Sequence, residues 1–563
     1  MKIRYQKIIL ALLFTGLFSC ETTELGLTES PTQVSVDNLD PDFLFNNIQL
    51  GFGTFVENVA GGASFTASVS RQFAMTGGNT YDNAYAPINF NGIWSSAYSG
   101  ILADIQALEP IAEELDLKYH LGVSKLFRAY VLISMVDLFG DIPYTEALQG
   151  NANTNPAPDN QVDVYIAMLS EIDEAIALLN GVASAYPPED FYYSDGGTVD
   201  EDTQKSWVTA ANTLKLRVLN NARLAGADLG INIAASINSI LAGNNIIDSA
   251  DEDWVLQYGS NRLNPSTRHP GYNRYYEDSA GGYMSNYLMW SMIAEKGFDD
   301  PRLAYYFYRQ DTNATNEDVF TLGCVGANAP SQYANYSSIY DPAVGMPFCV
   351  ASAPRGYWGR DHGDNGGIPP DDEKRTVFGL YPVGGSYDDG AGDSTQEEGS
   401  TGEQGAGITP LLTSFFVDFI KAESALTTGT TGDARVFLES AIRGSMAKVI
   451  GFLGVAGDAT QNDVDNYVAF VLDAYDNALD DSKRLEIILK EYHIASYGNG
   501  MEAYNAYRRT GFPSNFQPTL VLTSGEFYNS VVYPANFVNL NSNATQKDRG
   551  ERIFWDKSNI SLH

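Results

Sequence analysis

The chain has 563 residues, 44% of them hydrophobic and 12% aromatic, and 70 acidic against 34 basic side chains give a formal net charge of −36. An acidic surplus of this size repels polyanions and excludes nucleic acid as a partner, while cations remain attractive. The length leaves room for about three domains, yet no linker divides it. In chain order, residues 1–19 come first. They carry Lys2, Arg4 and Lys7, no acid, and an apolar run from Ile8 to Leu13 and on to Phe18, directly before Cys20. That is the pattern of a secretory signal, and its apolar part is well short of the roughly 20 residues that span a bilayer. Its removal takes the net charge to −39.

The stretch Leu17, Phe18, Ser19, Cys20 resembles a bacterial lipobox. On that reading Cys20 becomes the lipidated first residue of the mature chain, and 20–40 is a polar tether that holds a water-soluble body on a membrane. The alternative is an ordinary signal peptide with an incidental cysteine. Cys324 and Cys349 are the only other thiols. In an oxidising exported compartment they are expected to form one disulfide, the alternative being two buried free thiols.

From about residue 41 to 225 the text is helical. Apolar residues recur at three- and four-residue steps in Leu44, Ile48, Phe52, Phe55, Val59; in Leu126, Phe127, Tyr130, Val131; in Tyr165, Leu169, Ile172, Ile176, Leu179; and in Trp207, Ala210, Ala211, Leu214, Val218. Gly61 and Gly62, and later Gly181, are expected to end helices by supplying a left-handed residue. Between about 226 and 408 periodicity fades and turn formers dominate, such as Asn264-Pro265, Asp341-Pro342, Pro369-Pro370 and Gly384-Gly385. A loop-rich stretch this long is either functional or poorly ordered, and its aromatic content argues for order. Helical text resumes with Thr409 as cap and Pro410 in the first turn, then Leu411, Leu412, Phe415, Phe416 and Phe419, and continues to about 513. The fold class is therefore mainly α with few short strands. Successive helix pairs stack as a solenoid, and 41–563 is one domain whose variable part is the loop-rich middle.

Loops carry function on a rigid scaffold, which directs attention to Gly356–Asp389. Tyr357, Trp358, Arg360, Asp361, His362, Tyr381 and Tyr387 combine flat aromatic faces for sugar C–H surfaces with hydrogen-bonding Arg and Asp. A secondary core under the loops is the competing account of Trp358 and Tyr381. Tyr81, Tyr85, Trp94 and Tyr98 form a lesser candidate group. Asp361, Asp364, Asp371, Asp372, Asp388, Asp389 and Asp393 crowd the same region without forming a twelve-residue calcium loop, so a solvated acidic face is expected and no metal. No serine-nucleophile elbow, paired-histidine zinc motif or phosphate loop occurs, and no cofactor is implied.

Four stretches in order resemble the SusD/RagB family of outer-membrane nutrient-binding lipoproteins, in its SusD-like branch. They are Leu126–Leu148, with Phe127, Arg128, Ala129, Tyr130 leading to Phe139, Gly140, Asp141, Ile142, Pro143; Thr209–Leu224, with Leu216, Arg217 and Asn220, Asn221, Ala222, Arg223; Phe415–Ala425, with Lys421, Ala422, Glu423; and Ile488–Pro513, with Tyr497, Gly498, Glu502, Arg508, Arg509 and Pro513. The resemblance implies a scaffold of four tetratricopeptide-like helix pairs under a variable loop-rich part. It further implies a lipid-anchored location at the outer-membrane cell surface, an oligosaccharide or polysaccharide ligand, and a SusC-like TonB-dependent transporter as partner. The shared motif residues read as architecture, with Arg508 and Arg509 expected to meet carboxylates such as Glu502 or Glu423. The acidic chain favours a neutral glycan. A peptide ligand and, further off, a surface glycoside hydrolase are the alternatives.

Overall fold

The computed structural model describes residues 40–181, 187–194, 197–277, 281–311, 324, 327–335, 346, 348–349, 355–366, 374–387, 402–452, 459–521 and 527–558. Cys20 and the tether to residue 39 lie outside them, as do Asp371, Asp372, Asp388, Asp389 and Asp393.

Twelve helices carry the argument: α1 (Pro41–Ala60), α2 (Leu102–Glu114), α3 (Lys118–Phe139), α4 (Gln161–Leu179), α5 (Glu201–Asn221), α6 (Ile233–Gly243), α7 (Asn286–Ile293), α8 (Ser414–Thr428), α9 (Ala434–Ile450), α10 (Gln461–Asp476), α11 (Asp481–Ala495) and α12 (Gly500–Thr510). Their starts are capped by local chemistry. Asp40, Asn160, Asp200, Thr413, Thr460 and Asp480 each accept a first-turn backbone N–H, which satisfies a donor the helix itself cannot. Neighbours in sequence pack as pairs, α2 with α3, α4 with α5, α8 with α9 and α10 with α11, and α5 also lies against α8. The stack thus continues across an insertion of almost two hundred residues. The fold is mainly α, with a few short strands among the described residues.

Those strands tie the insertion down. Strands β1 (Glu189–Asp190) and β2 (Gly197–Thr198) pair with each other; β3 (Trp254–Gln257) pairs antiparallel with β6 (Ile408–Leu412), and β4 (Phe307–Arg309) with β5 (Thr376–Phe378). The β6 assignment corrects the expected helix start. Thr409-Pro410-Leu411-Leu412 is extended because Leu411 and Leu412 are fully buried beside β3, and the helix begins one residue after the true cap, Thr413, whose Oγ1 accepts from Phe416 N. In β3, Trp254 stacks on Phe52 of α1 at 5.5 Å and meets Trp207 of α5 edge-on at 5.3 Å. Two scaffold helices and the insertion therefore share one aromatic core.

The glycine expectation also changes. Gly61 has φ −57°, not a left-handed value, and Gly62 is needed because a Cβ there would lie 2.2 Å from the Phe378 ring. Close packing of β5 on the end of α1 explains Gly62, while a Cβ at Gly61 would meet Glu57 one turn back. Gly140 does take a positive φ of 75° where α3 ends, and Asp141 Oδ1 accepts from Gln161 N at 3.0 Å to start α4. The C-terminal residues return to α3. Trp555 Nε1 and Tyr165 OH donate to Asp137 Oδ1, and Asn505 Nδ2 to Asp137 Oδ2.

Cys324 and Cys349 are disulfide-bonded, with Cα atoms 5.7 Å apart. The bond holds Cys349 N against Asp361 Oδ2 at 3.3 Å.

Candidate functional site

The described parts of the 356–389 segment, 356–366 and 374–385, turn inward. Trp358 is fully buried, and its backbone N–H donates to Thr376 Oγ1 at 2.7 Å. Tyr381 is buried against Tyr306, with Gly498 packed on its ring. His362 is fully buried, and desolvation drives its pKa well below the ordinary imidazole value, so it is neutral. Burial lifts the Asp361 carboxyl, which accepts from Asn286 Nδ2 at 2.7 Å and Tyr333 OH at 3.3 Å. Arg360 pairs with Asp364 at 3.2 Å, donates to Gly366 O and lies 4.6 Å from the Tyr283 ring.

Trp358, Asp361, His362 and Tyr381 are thus buried within the protein, and Arg360 is bonded to Asp364 and Gly366. The β4–β5 ribbon and the Ser285–Arg360 bridge lay this segment against the start of α7, where its rings are buried. Tyr387 ends a short turn, Gly384–Tyr387, and its side chain lies outside the described residues. Tyr357 faces a cleft.

That cleft, about 720 Å³, is lined by Phe298, Asp299, Tyr305, Arg309, Arg355, Tyr357, Asp463, Asn466 and Phe470, among others. Its charges answer one another. Arg355 forms a two-pronged pair with Asp299, Arg309 Nη1 donates to Arg355 O, and Asp463 closes the capping box of α10. A third opening, about 510 Å³, is edged by Asp248, Asp251, Asp253 and Asp418, with Lys448 held on Asp253 at 2.8 Å.

A second cleft, about 520 Å³, differs in kind. It lies between the last turn of α1 (Asn58), the short helix Phe65–Val69, the segment Phe73–Gly77, the turn Ala84–Ile93, and Arg274 with Gly282. The wall is set by Ala74 N donating to Tyr283 O at 3.0 Å and by an isolated bridge between Phe73 and Met284. Gly282, at φ 81°, lets the Phe73 ring pass where a Cβ would sit at 2.3 Å. Phe65, Phe73, Tyr85 and Phe90 supply aromatic surface, and Tyr85 OH donates to Ser68 Oγ at 2.6 Å. Among the described residues, the side chains of Asn58, Thr76 and Arg274 make no hydrogen bond or ion pair, so their polar groups are available to a ligand.

Of the lesser aromatic group, Tyr85 lines this cleft. Tyr81 is buried, Trp94 packs on Phe537 at 4.4 Å, and Tyr98 OH donates to Pro143 O. Sequence reasoning missed Asn58, Phe65, Phe73, Thr76 and Arg274. No periodicity marks them, and only the adjacent Gly77-Gly78 turn hints at a break in the helical text.

Comparison with known families bears on the whole chain. Residues 31–354 match a SusD-like family model described as starch-binding and associating with the outer membrane. The chain belongs to the SusD-like family. Residues 400–547 of this SusD-like chain also match the model described as Susd and RagB outer membrane lipoprotein. The family is one of nutrient-binding outer-membrane lipoproteins, binding proteins by character. Solved structures agree on the fold. A SusD homolog from Bacteroides fragilis is 19% identical, with TM-score 0.61, covering 92% of this chain and 99% of its own. A chitin-binding SusD homolog from Flavobacterium johnsoniae is 19% identical, with TM-score 0.59, covering 92% and 98%. A SusD/RagB family protein from Bacteroides thetaiotaomicron is 17% identical, with TM-score 0.63, covering 93% and 100%. No curated protein matches the SusD-like chain significantly. Among its described residues no helix is long and apolar enough to cross a membrane.

Proposed function

We propose that this SusD-like protein binds a glycan in the Asn58–Phe73–Arg274 cleft and passes it to a SusC-like TonB-dependent transporter, while a lipid on Cys20 holds it at the outer cell surface. One observation carries the choice of cleft: aromatic walls stand beside polar side chains that have no partner among the described residues. Sugar rings need both, because their C–H faces pack on aromatic surface while their hydroxyls replace water with directed hydrogen bonds. The larger cleft around Tyr357 is less apt, since Arg355 and Asp299 are already paired and Arg309 donates to the Arg355 carbonyl. The chitin-binding homolog supports a glycan over a peptide.

The reading is binding without turnover. Glycoside hydrolysis takes two carboxyl groups about 5–9.5 Å apart, and among the described residues no Asp or Glu lines this cleft. The test is affinity electrophoresis of the purified protein through gels containing individual polysaccharides, with Thr76→Trp to fill the cleft. The variant is expected to lose retardation by at least about ten-fold in affinity, equivalent to about 1.4 kcal/mol. Equal retardation of both proteins would place the ligand elsewhere, and shortened polysaccharide products would make the protein an enzyme.

A further inference from the structure

The charge of the whole chain argues for a neutral ligand, but the cleft does not share that charge. Acids outnumber bases about two to one in the sequence, and both other openings are edged by aspartates. The Asn58–Phe73–Arg274 cleft has Arg274 as its one charged lining residue among the described residues. The nearest acid in sequence to Asn58 is Glu57, and it is turned to other work: it accepts from Thr409 Oγ1 at 3.0 Å and lies 3.6 Å from His269 Nε2.

Arg274 is exposed on the turn Asn273–Glu277, and among the described residues its guanidinium makes no hydrogen bond or ion pair and lies 5.8 Å from the Tyr275 ring. Other arginines that face clefts, Arg309 and Arg355, are tied down. A planar guanidinium presents a fork of donors matched to a two-oxygen anion. With no carboxylate on the cleft wall among the described residues, an incoming anion is an acceptor its fork is placed to meet.

Resting on the reading of this cleft as the glycan site, we infer that it selects a sugar unit bearing an anionic group, a uronic acid carboxylate or a sulfate ester, and that Arg274 reads that group. The aromatic wall of Phe65, Phe73 and Tyr85 holds the ring, and Arg274 at the mouth holds the charge. Arg274 is a specificity-determining residue on this account, and a neutral oligomer of the same shape binds more weakly.

The experiment is calorimetric titration with size-matched pairs: an oligogalacturonide and its methyl ester, and a sulfated oligosaccharide and its desulfated form. The expected result is that one acidic member binds at least about ten-fold more tightly than its neutralised partner, a preference that shrinks in 0.5 M salt because the shorter Debye length screens the pair. Whichever pair shows the preference identifies carboxylate or sulfate as the source. In Arg274→Gln the preference is expected to fall to within about two-fold, and in Arg274→Lys to be partly restored, because lysine keeps the charge without the fork. The proposal is overturned if neutralised partners bind as well as the acidic ones, if the preference survives Arg274→Gln, or if neither acidic class binds. A distinct outcome, acidic binding undiminished in Thr76→Trp, would remove the cleft itself from consideration and the underlying reading with it.

Discussion

Glu423 sits fully buried where α5, α8 and α12 meet, and accepts two bonds from Arg509, at 2.9 and 2.6 Å, one from Asn220, and a pair from Arg223 at 2.9 Å. Burial alone would raise its pKa, but Arg509 and Arg223 outweigh burial and hold it at about 2. His493 is the opposite case. Burial, assisted by nearby Lys490, keeps it neutral with a pKa of about 3, although its Nε2 lies 2.7 Å from Ser70 O. The consequence for stability follows from linkage. The Glu423 contribution is complete above pH 4.5 and disappears as pH falls from there toward 2, whereas the His493 contribution is complete above 6.5 and disappears toward 3. Glu423 alone is worth on the order of 3 kcal/mol. The urea midpoint should therefore drop steeply between pH 6.5 and 3, and Glu423→Gln should be less stable at pH 7 but show a shallower acid limb. A flat midpoint across this range would contradict the assignment. At the same scale, Trp358→Ala should cost about 3–5 kcal/mol as a core truncation and lower the Tm, yet leave ligand affinity in the folded protein unchanged. Lost affinity at an unchanged Tm would return that ring to the ligand site.

The helices pair by the stripes their sequences carry, but the junctions between elements come from single residues. α12 is held by Arg509 on Glu423 and by Arg217 of α5 on Glu502 at 3.1 Å. Arg508 instead lies 3.8 Å from the Tyr504 ring and donates to Asn505 and Asn529 O. One of the two expected arginine-carboxylate pairs is thus replaced by stacking, because Arg508 faces the aromatic C-terminal segment and Arg509 faces the acid on α8. In the insertion, the disulfide closes a loop with a sequence separation of 25 and fixes its end on Asp361. Replacing both cysteines by serine should lower stability by about 3 kcal/mol, the closure entropy of a loop of this length. Differential scanning calorimetry with and without reductant checks it, and a reductant-insensitive unfolding temperature in the unsubstituted protein would count against the bond.

For the molecule as a whole, the N-terminal segment proposed to carry the lipid precedes α1 in sequence, the helix that also supplies Asn58 to the cleft. Cys20→Ala should move the protein from the outer-membrane fraction to the soluble one, and mass spectrometry of the N-terminal peptide should find a diacylglycerol thioether only when Cys20 is present. An unmodified thiol at residue 20 in the native protein would end the lipoprotein reading.

The amphipathic stripes of α1, α3, α4, α5, α8, α10 and α11 were legible because a helix repeats its neighbours every three or four residues, so its buried face is written locally. The ordered motifs from Phe127 to Pro143 and from Glu502 to Pro513 were legible for a similar reason, since each is a continuous run. Three things depended on contacts between distant segments. Thr409–Leu412 became a strand because Trp254–Gln257 was waiting beside it. Trp358 and Tyr381 became core because the β4–β5 ribbon folds them under. The cleft exists only where Asn58, Phe73 and Arg274, more than two hundred residues apart at the extremes, come to one place. A local pattern can state which side of an element avoids water, but whether a ring in a loop is offered to a ligand or sealed from it depends on what the rest of the chain lays over it.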